Sequence, residues 1–171
     1  MSQPTKYFSS KQEHTIADYL GWSVVVGSGA RDFHPGDIIS EDFLGECKTH
    51  TAPKNKITIT KSVWCKIQME AESKFKRPVL FVDDGTQSIK NTWCVIPARF
   101  MPPDFDELVS LLDSTLLHES KTIITFNHVD MVKIMKDAHV YNTVVPLEIN
   151  DMKLLLMSLQ TFKHIFIGSD D

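Results

Sequence analysis

Apolar positions along the chain recur with two periods, and the switches between them divide it into helices and strands. Behind the polar leader MSQPTKYFSSKQEH, Ile16, Tyr19 and Leu20 fall at helical spacing and Gly21 ends the run. This predicts a first helix opening at Ser9-Ser10, with Glu13 in its first turn. Trp22 to Val26 is a β-branched run that enters a loop at Gly27-Ser28-Gly29, and the loop continues through Arg31, His34 and Gly36. Asp37 to Ile39 and Phe43 to Thr49 read as two strands folded about the polar turn Ser40-Glu41-Asp42, a hairpin. Ile57 to Thr60 is a further strand. Ser62 is placed to cap a helix from Val63 to about Lys76, with Trp64, Ile67, Ala71 and Phe75 at core spacing. Pro78 to Val82 reads as a buried strand, Asp83-Asp84-Gly85 as its turn, and Thr92 to Pro97 as its partner.

Met101-Pro102-Pro103 marks a joint, since tandem prolines stiffen the chain and exclude helix before them. Beyond it the pattern predicts a helix (Asp104 to His118), a strand (Thr122 to Phe126), a helix (Val129 to Ala138), a strand (Thr143 to Leu147) and a last helix (Asp151 to about His164). The expected fold class is α/β: a core over residues 1–103 and a C-terminal α/β extension over 104–171.

Composition narrows the class. With 171 residues, 42% hydrophobic and 23% charged, the chain is long enough for a real core and falls outside the disordered and membrane ranges. No run approaches the roughly 20 apolar residues of a membrane span, and the leader lacks a signal-peptide core, so a cytoplasmic location with no membrane partner is expected. Three cysteines, Cys47, Cys65 and Cys94, have no spacing that suggests disulfides or structural zinc. A formal net charge of -4 argues against nucleic-acid binding through overall charge alone. The charge is uneven: residues 1–90 carry 12 Lys and Arg against 11 Asp and Glu, and residues 91–171 carry 6 against 11.

The candidate chemistry lies in Phe43-Leu44-Gly45-Glu46-Cys47-Lys48. Strand alternation sends Glu46 and Lys48 to one face, about 7 Å apart along the strand, and Cys47 to the other. Asp37 precedes Glu46 by nine residues, and a hairpin brings it alongside. Two carboxylates beside a lysine suit phosphodiester hydrolysis. Carboxylate oxygens bind Mg²⁺, a hard ion, and the metal orients a water and offsets charge on the phosphate. The lysine can position or deprotonate that water, or stabilise the pentavalent state. The backbone carbonyl of Cys47 is a further candidate metal ligand.

This order, a helical glutamate, a glycine loop, Gly36-Asp37-Ile38 and Glu46-Cys47-Lys48, followed by Ile57-Thr58-Ile59 and the Trp64 helix, resembles the PD-(D/E)xK nuclease superfamily over roughly residues 9–97. Within it the chain looks most like archaeal Holliday-junction resolvases and related phage endonucleases. The resemblance implies a restriction-endonuclease-like mixed sheet flanked by helices. It also implies Mg²⁺ (with Mn²⁺ able to substitute) on Asp37 and Glu46, Lys48 as catalytic lysine, and Glu13 as an outer or second-metal carboxylate. Ser28 and Arg31 would lie on the loop that meets DNA, and Lys61 fits a basic position of the pattern. Three features depart from it. Gly36 stands where the naming proline would be, His14 follows Glu13 where arginine is usual and overall basicity is low, and nothing after about Arg99 resembles the family core, which leaves residues 104–171 as a dimerisation, DNA-positioning or partner-binding extension.

Each feature also has a plainer reading. Glu-x-Lys on a half-exposed strand is commonly a surface ion pair. A glutamate in a first helical turn is favoured by the helix dipole whatever its role. Lys54, Lys56 and Lys61 form either a phosphate-contacting stretch or a solvated loop. His34 and His50 flank the acidic cluster without a required role, and His118, His128 and His139 are assigned none. The leading expectation is a structure-selective endonuclease acting on branched DNA as a homodimer, without a nucleotide cofactor, in a bacterial cytoplasm or, if phage-encoded, that of the host. A nicking, restriction-like or end-processing nuclease of the same fold, and a non-catalytic DNA-binding module, are the alternatives.

Overall fold

In the sequence the strands around Glu46 are separated by a helix, and in space they are neighbours. The computed structural model describes residues 4–27, 35–108, 117–119, 122–137 and 144–168. Helix α1 (Thr5–Leu20) starts earlier than its apolar spacing suggests and stops where Gly21 takes a left-handed φ of 70°. Glu13 therefore lies mid-helix, not in the first turn, and the helix dipole does not account for it. The short strand β1 (Ser23–Val24) pairs antiparallel with β2 (Ile38–Ile39), and β2 pairs antiparallel with β3 (Phe43–Lys48), with Ile38 opposite Gly45. The Asp37 hairpin is thus present.

Strand β4 (Lys56–Thr60) leads directly into α2 (Lys61–Ser73). Thr60, rather than Ser62, caps this helix by accepting the Val63 N–H. Its core face is Trp64, Ile67 and Ala71, all fully buried, but Phe75 lies past the helix end with φ 56° and is wholly exposed. The chain then enters β5 (Arg77–Asp83), parallel to β3 with Glu46 beside Leu80. Parallel neighbours require a crossover, and β4 with α2 supply it. β6 (Thr92–Pro97) returns antiparallel to β5.

Past the prolines the elements differ from the sequence pattern in two places. Residues Pro103–Leu108 form a 3₁₀ turn rather than the start of an α-helix, and Leu117–Glu119 is strand β7. β8 (Ile123–Asn127) and α3 (His128–Asp137) follow, then β9 (Val144–Ile149). The expected helix from Asp151 is instead β10 (Met152–Ser158), followed by α4 (Leu159–Phe166). Asn150 and Asp151 both adopt positive φ, 48° and 65°, which folds β9 and β10 into a tight hairpin.

The result is a mixed α/β molecule. One seven-stranded sheet, ordered β1-β2-β3-β5-β6-β10-β9, is antiparallel except at β3-β5, and a three-stranded sheet is ordered β4-β8-β7. Residues beyond the prolines enter both sheets, since β10 pairs with β6 and β8 with β4. One face of the large sheet packs on α2 and the small sheet through Leu44, Leu80, Val95 and Leu156. The other packs on α1 and α4 through Phe43, Cys47, Phe81 and Phe162, where Trp22 stacks on Phe43 at 5.6 Å. Alternation along β3 thus puts Cys47 in one core and Glu46 on the opposite face, toward α2.

A carboxylate and lysine cluster at the end of β3

Register makes Glu46 unusual. It is 1% exposed and sits on a rung whose other members are Leu80, Val95, Leu156 and Val145, all apolar. A carboxylate buried there needs counter-charge and hydrogen bonds. Two ammonium groups provide them. Lys48 Nζ bonds Glu46 Oε1, and Lys66 Nζ from α2 stands 3.1 Å from Oε1 and 3.2 Å from Oε2. Both lysine side chains remain about half exposed, at 48% and 53%.

Asp37 is tied to the same strand. Its Oδ2 accepts the Cys47 N–H at 2.7 Å, its own N–H donates to the Gly45 carbonyl, and its carbonyl accepts the Val25 N–H. The backbone is set for this by Gly36, which takes φ 72° and whose missing Cβ would lie 2.7 Å from the Leu44 side chain. Proline, locked near φ -65°, cannot adopt that conformation, so the backbone at this position calls for glycine. Gly36 N–H donates to Glu70 Oε2 at 2.9 Å, so α2 holds the loop as well as Glu46.

Glu13 reaches the cluster from α1. The preceding residue, Gln12, is 1% exposed and donates from Nε2 to the Lys48 carbonyl at 2.9 Å, clamping the helix to the end of β3. Burial, then the nearby Asp37 charge, raise the Glu13 carboxyl above its usual range, with Glu46 adding to the rise. Burial and then Glu46 do the same to Asp37, against the Cys47 hydrogen bond and the two lysines. Three carboxylates therefore share one field, with negative charge concentrated where water is scarce. The Lys66 ammonium is held protonated above its ordinary value: burial lowers it, and the bond to and charge of Glu46 more than offset this.

An all-oxygen donor set suits a hard cation such as Mg²⁺ in chemistry. Among the described residues, however, no group of three or more His, Cys, Asp or Glu side chains converges as a ready metal cage. Glu46 is turned onto its lysines instead.

The other anticipated residues divide. Lys54 and Lys56 are exposed and Lys61 is half-buried at the start of α2. Beside them a cavity of about 200 Å³ runs between Lys48, Thr49 and His50 on β3 and its continuation and Ile57 to Thr60 on β4. Ser28, Arg31 and His34 lie outside the described residues. Cys47 contributes a backbone N–H, and its thiol is buried and pushed well above its ordinary pKa by that burial. His128 proves structural: it is buried and its Nδ1 accepts the Trp93 indole N–H at 2.9 Å.

Lys66, Glu70 and Gln12 are the site residues that sequence reasoning missed. Lys66 and Glu70 are one helical turn apart on α2, a spacing that was readable, but nothing local said that α2 crosses over β3. No helix among the described residues is long and apolar enough to cross a membrane. Comparison with protein-family models, with curated proteins and with solved structures finds no match in any of the three.

Proposed function

We propose that this chain is a Mg²⁺-dependent DNA endonuclease of restriction-endonuclease-like fold, resolvase-like in acting on branched DNA. The observation that carries the reading is the pairing of Glu46 with Lys48 on one face of β3, with Asp37 fastened to the same strand through the Cys47 N–H. In this reading Asp37 and Glu46 would hold the metal, the Cys47 carbonyl would add a backbone oxygen, and Glu13 would be an outer carboxylate. Bound Mg²⁺ would orient a water and offset charge on the scissile phosphate.

The chain's own residues supply the rest. Lys48, half exposed at the edge of the carboxylates, would hold the attacking water or the developing negative charge on phosphate. Lys54, Lys56 and Lys61 would offer cations to the DNA backbone, and the family resemblance adds Ser28 and Arg31 as DNA contacts. Two copies related by a two-fold axis would present paired sites to a four-way junction.

A second reading, a DNA-binding module without hydrolysis, draws on Glu46 being neutralised by two lysines. Labelled four-way, flap, single-stranded and linear duplex DNA incubated with the protein and Mg²⁺ separates the readings. Symmetric nicks near the branch point support a resolvase, and indiscriminate duplex cleavage points to another nuclease of this fold. DNA binding with no cleavage in Mg²⁺ or Mn²⁺ selects the binding module.

A further inference from the structure

We infer that Lys66 is a positioning residue, a resident counter-ion that holds Glu46 in the metal-free protein and gives way to an arriving divalent cation by moving onto Glu70. The inference rests on the metal-binding reading of Asp37 and Glu46 and adds how that site is kept and loaded.

Glu46 is 1% exposed on an apolar rung, so without a cation its charge must be met from the protein. Lys66 meets it with one ammonium across both oxygens, at 3.1 and 3.2 Å. Oε1 accepts from both Lys48 and Lys66 and Oε2 from Lys66, so three of the four lone pairs that a metal on Glu46 would draw on are already engaged. Lys66 has a second seat. Its Nζ already lies 3.7 Å from Glu70 Oε1, one helical turn along α2 and 24% exposed. Glu70 in turn accepts the N–H of Gly36, the residue before Asp37. One helix turn thus carries the group that vacates Glu46, the carboxylate that receives it, and the brace on the Asp37 loop. Lys48 is not equivalent, because it bonds only Oε1 and lies on the same strand as Glu46.

Mn²⁺ uptake followed by electron paramagnetic resonance, which reads binding without activity, tests this on the full chain. Lys66→Met and Lys66→Gln should bind Mn²⁺ about two- to fivefold more tightly than wild type, the effect of removing a competing ion pair. Lys66→Arg should bind as wild type does, and Glu70→Gln, which removes the second seat, should bind more weakly. Metal-free Lys66→Met should also melt below wild type, with saturating Mn²⁺ closing the gap. Equal or weaker binding by both neutral variants would overturn the role given to Lys66 while leaving the metal site standing. Absence of Mn²⁺ uptake by wild type itself would overturn the metal reading, and that result is visible before any variant is compared.

Discussion

Lys66 Nζ on α2 stands within 3.2 Å of both carboxylate oxygens of Glu46 on β3, across 20 residues of sequence, and so caps the charged member of an otherwise apolar strand rung. Folding energetics alone would favour a leucine there. Replacing a buried ion pair by a well-packed apolar side chain is often neutral or stabilising, by about 1–4 kcal/mol. Both lysines are half exposed and can return to water. Glu46→Leu should therefore melt at or above the wild-type temperature in EDTA while losing Mg²⁺-dependent stabilisation and cleavage. A calorimetric scan with and without Mg²⁺ checks both halves, and a large drop in stability would mean that Glu46 serves the fold.

The neighbouring carboxylates predict a pH signature. Glu13 and Asp37 are raised by burial and then by nearby carboxylates, so the folded state binds their protons more tightly than the unfolded state. Their contribution is most favourable below the unfolded carboxylate pKa and is lost as pH rises through that value to the folded one. At neutral pH both are therefore destabilising without metal. Asp37→Asn keeps an acceptor for the Cys47 N–H and should raise the melting temperature at pH 7 in EDTA. Mg²⁺ should raise that of wild type and not that of the variant; an unchanged or lowered midpoint for Asp37→Asn in EDTA would contradict the crowding of charge.

His128 gives the opposite slope. Its pKa is lowered by burial, against the pull of Asp84 and Asp83, so the neutral ring is favoured in the folded protein. The stability it contributes is present above the unfolded histidine pKa and is lost as pH falls through that value toward the folded one. His128→Gln retains an acceptor for the Trp93 indole, and the difference in melting temperature between wild type and variant should shrink from pH 7.5 to 5.5. A difference constant over that range would show that His128 does not titrate with unfolding.

Gly36 tests the geometry of the loop. Its φ of 72° is closed to proline, and any Cβ would meet Leu44 at 2.7 Å. Gly36→Ala should cost about 1–2 kcal/mol from the left-handed backbone alone, and Gly36→Pro more. Urea unfolding measures the loss, and a neutral Gly36→Pro would mean that the loop is not held as described.

How far the sequence revealed the site depends on which contacts are local. The hairpin was legible because Phe43 to Lys48 is short, bounded by a polar turn, and alternates about Cys47, which fixed Glu46 and Lys48 on one face. Lys66 and Glu70 were not, because lysine and glutamate on an amphipathic helix read as its solvated side until the crossover from β3 to β5 lays α2 over Glu46. The sequence pattern over β10 predicts helix for a related reason. Leu154 to Met157 is buried on both faces of the sheet, so no alternation distinguishes it from a buried helix. Asn150-Asp151, suited to positive φ, was the overlooked mark of a hairpin. Helical spacing predicts Phe75 in the core, but the helix ends at Ser73 and leaves it in solvent.

The most direct test of the central claim is cleavage of an end-labelled four-way junction by wild type, Glu46→Gln and Lys48→Ala, each with Mg²⁺ and with EDTA, with binding measured in parallel. Wild type should nick the junction only with Mg²⁺, and both variants should lose at least about 10²-fold in rate, the scale of removing one electrostatic catalytic group, while still binding DNA. Wild-type cleavage that persists in EDTA, or either variant cutting at the wild-type rate, would contradict it.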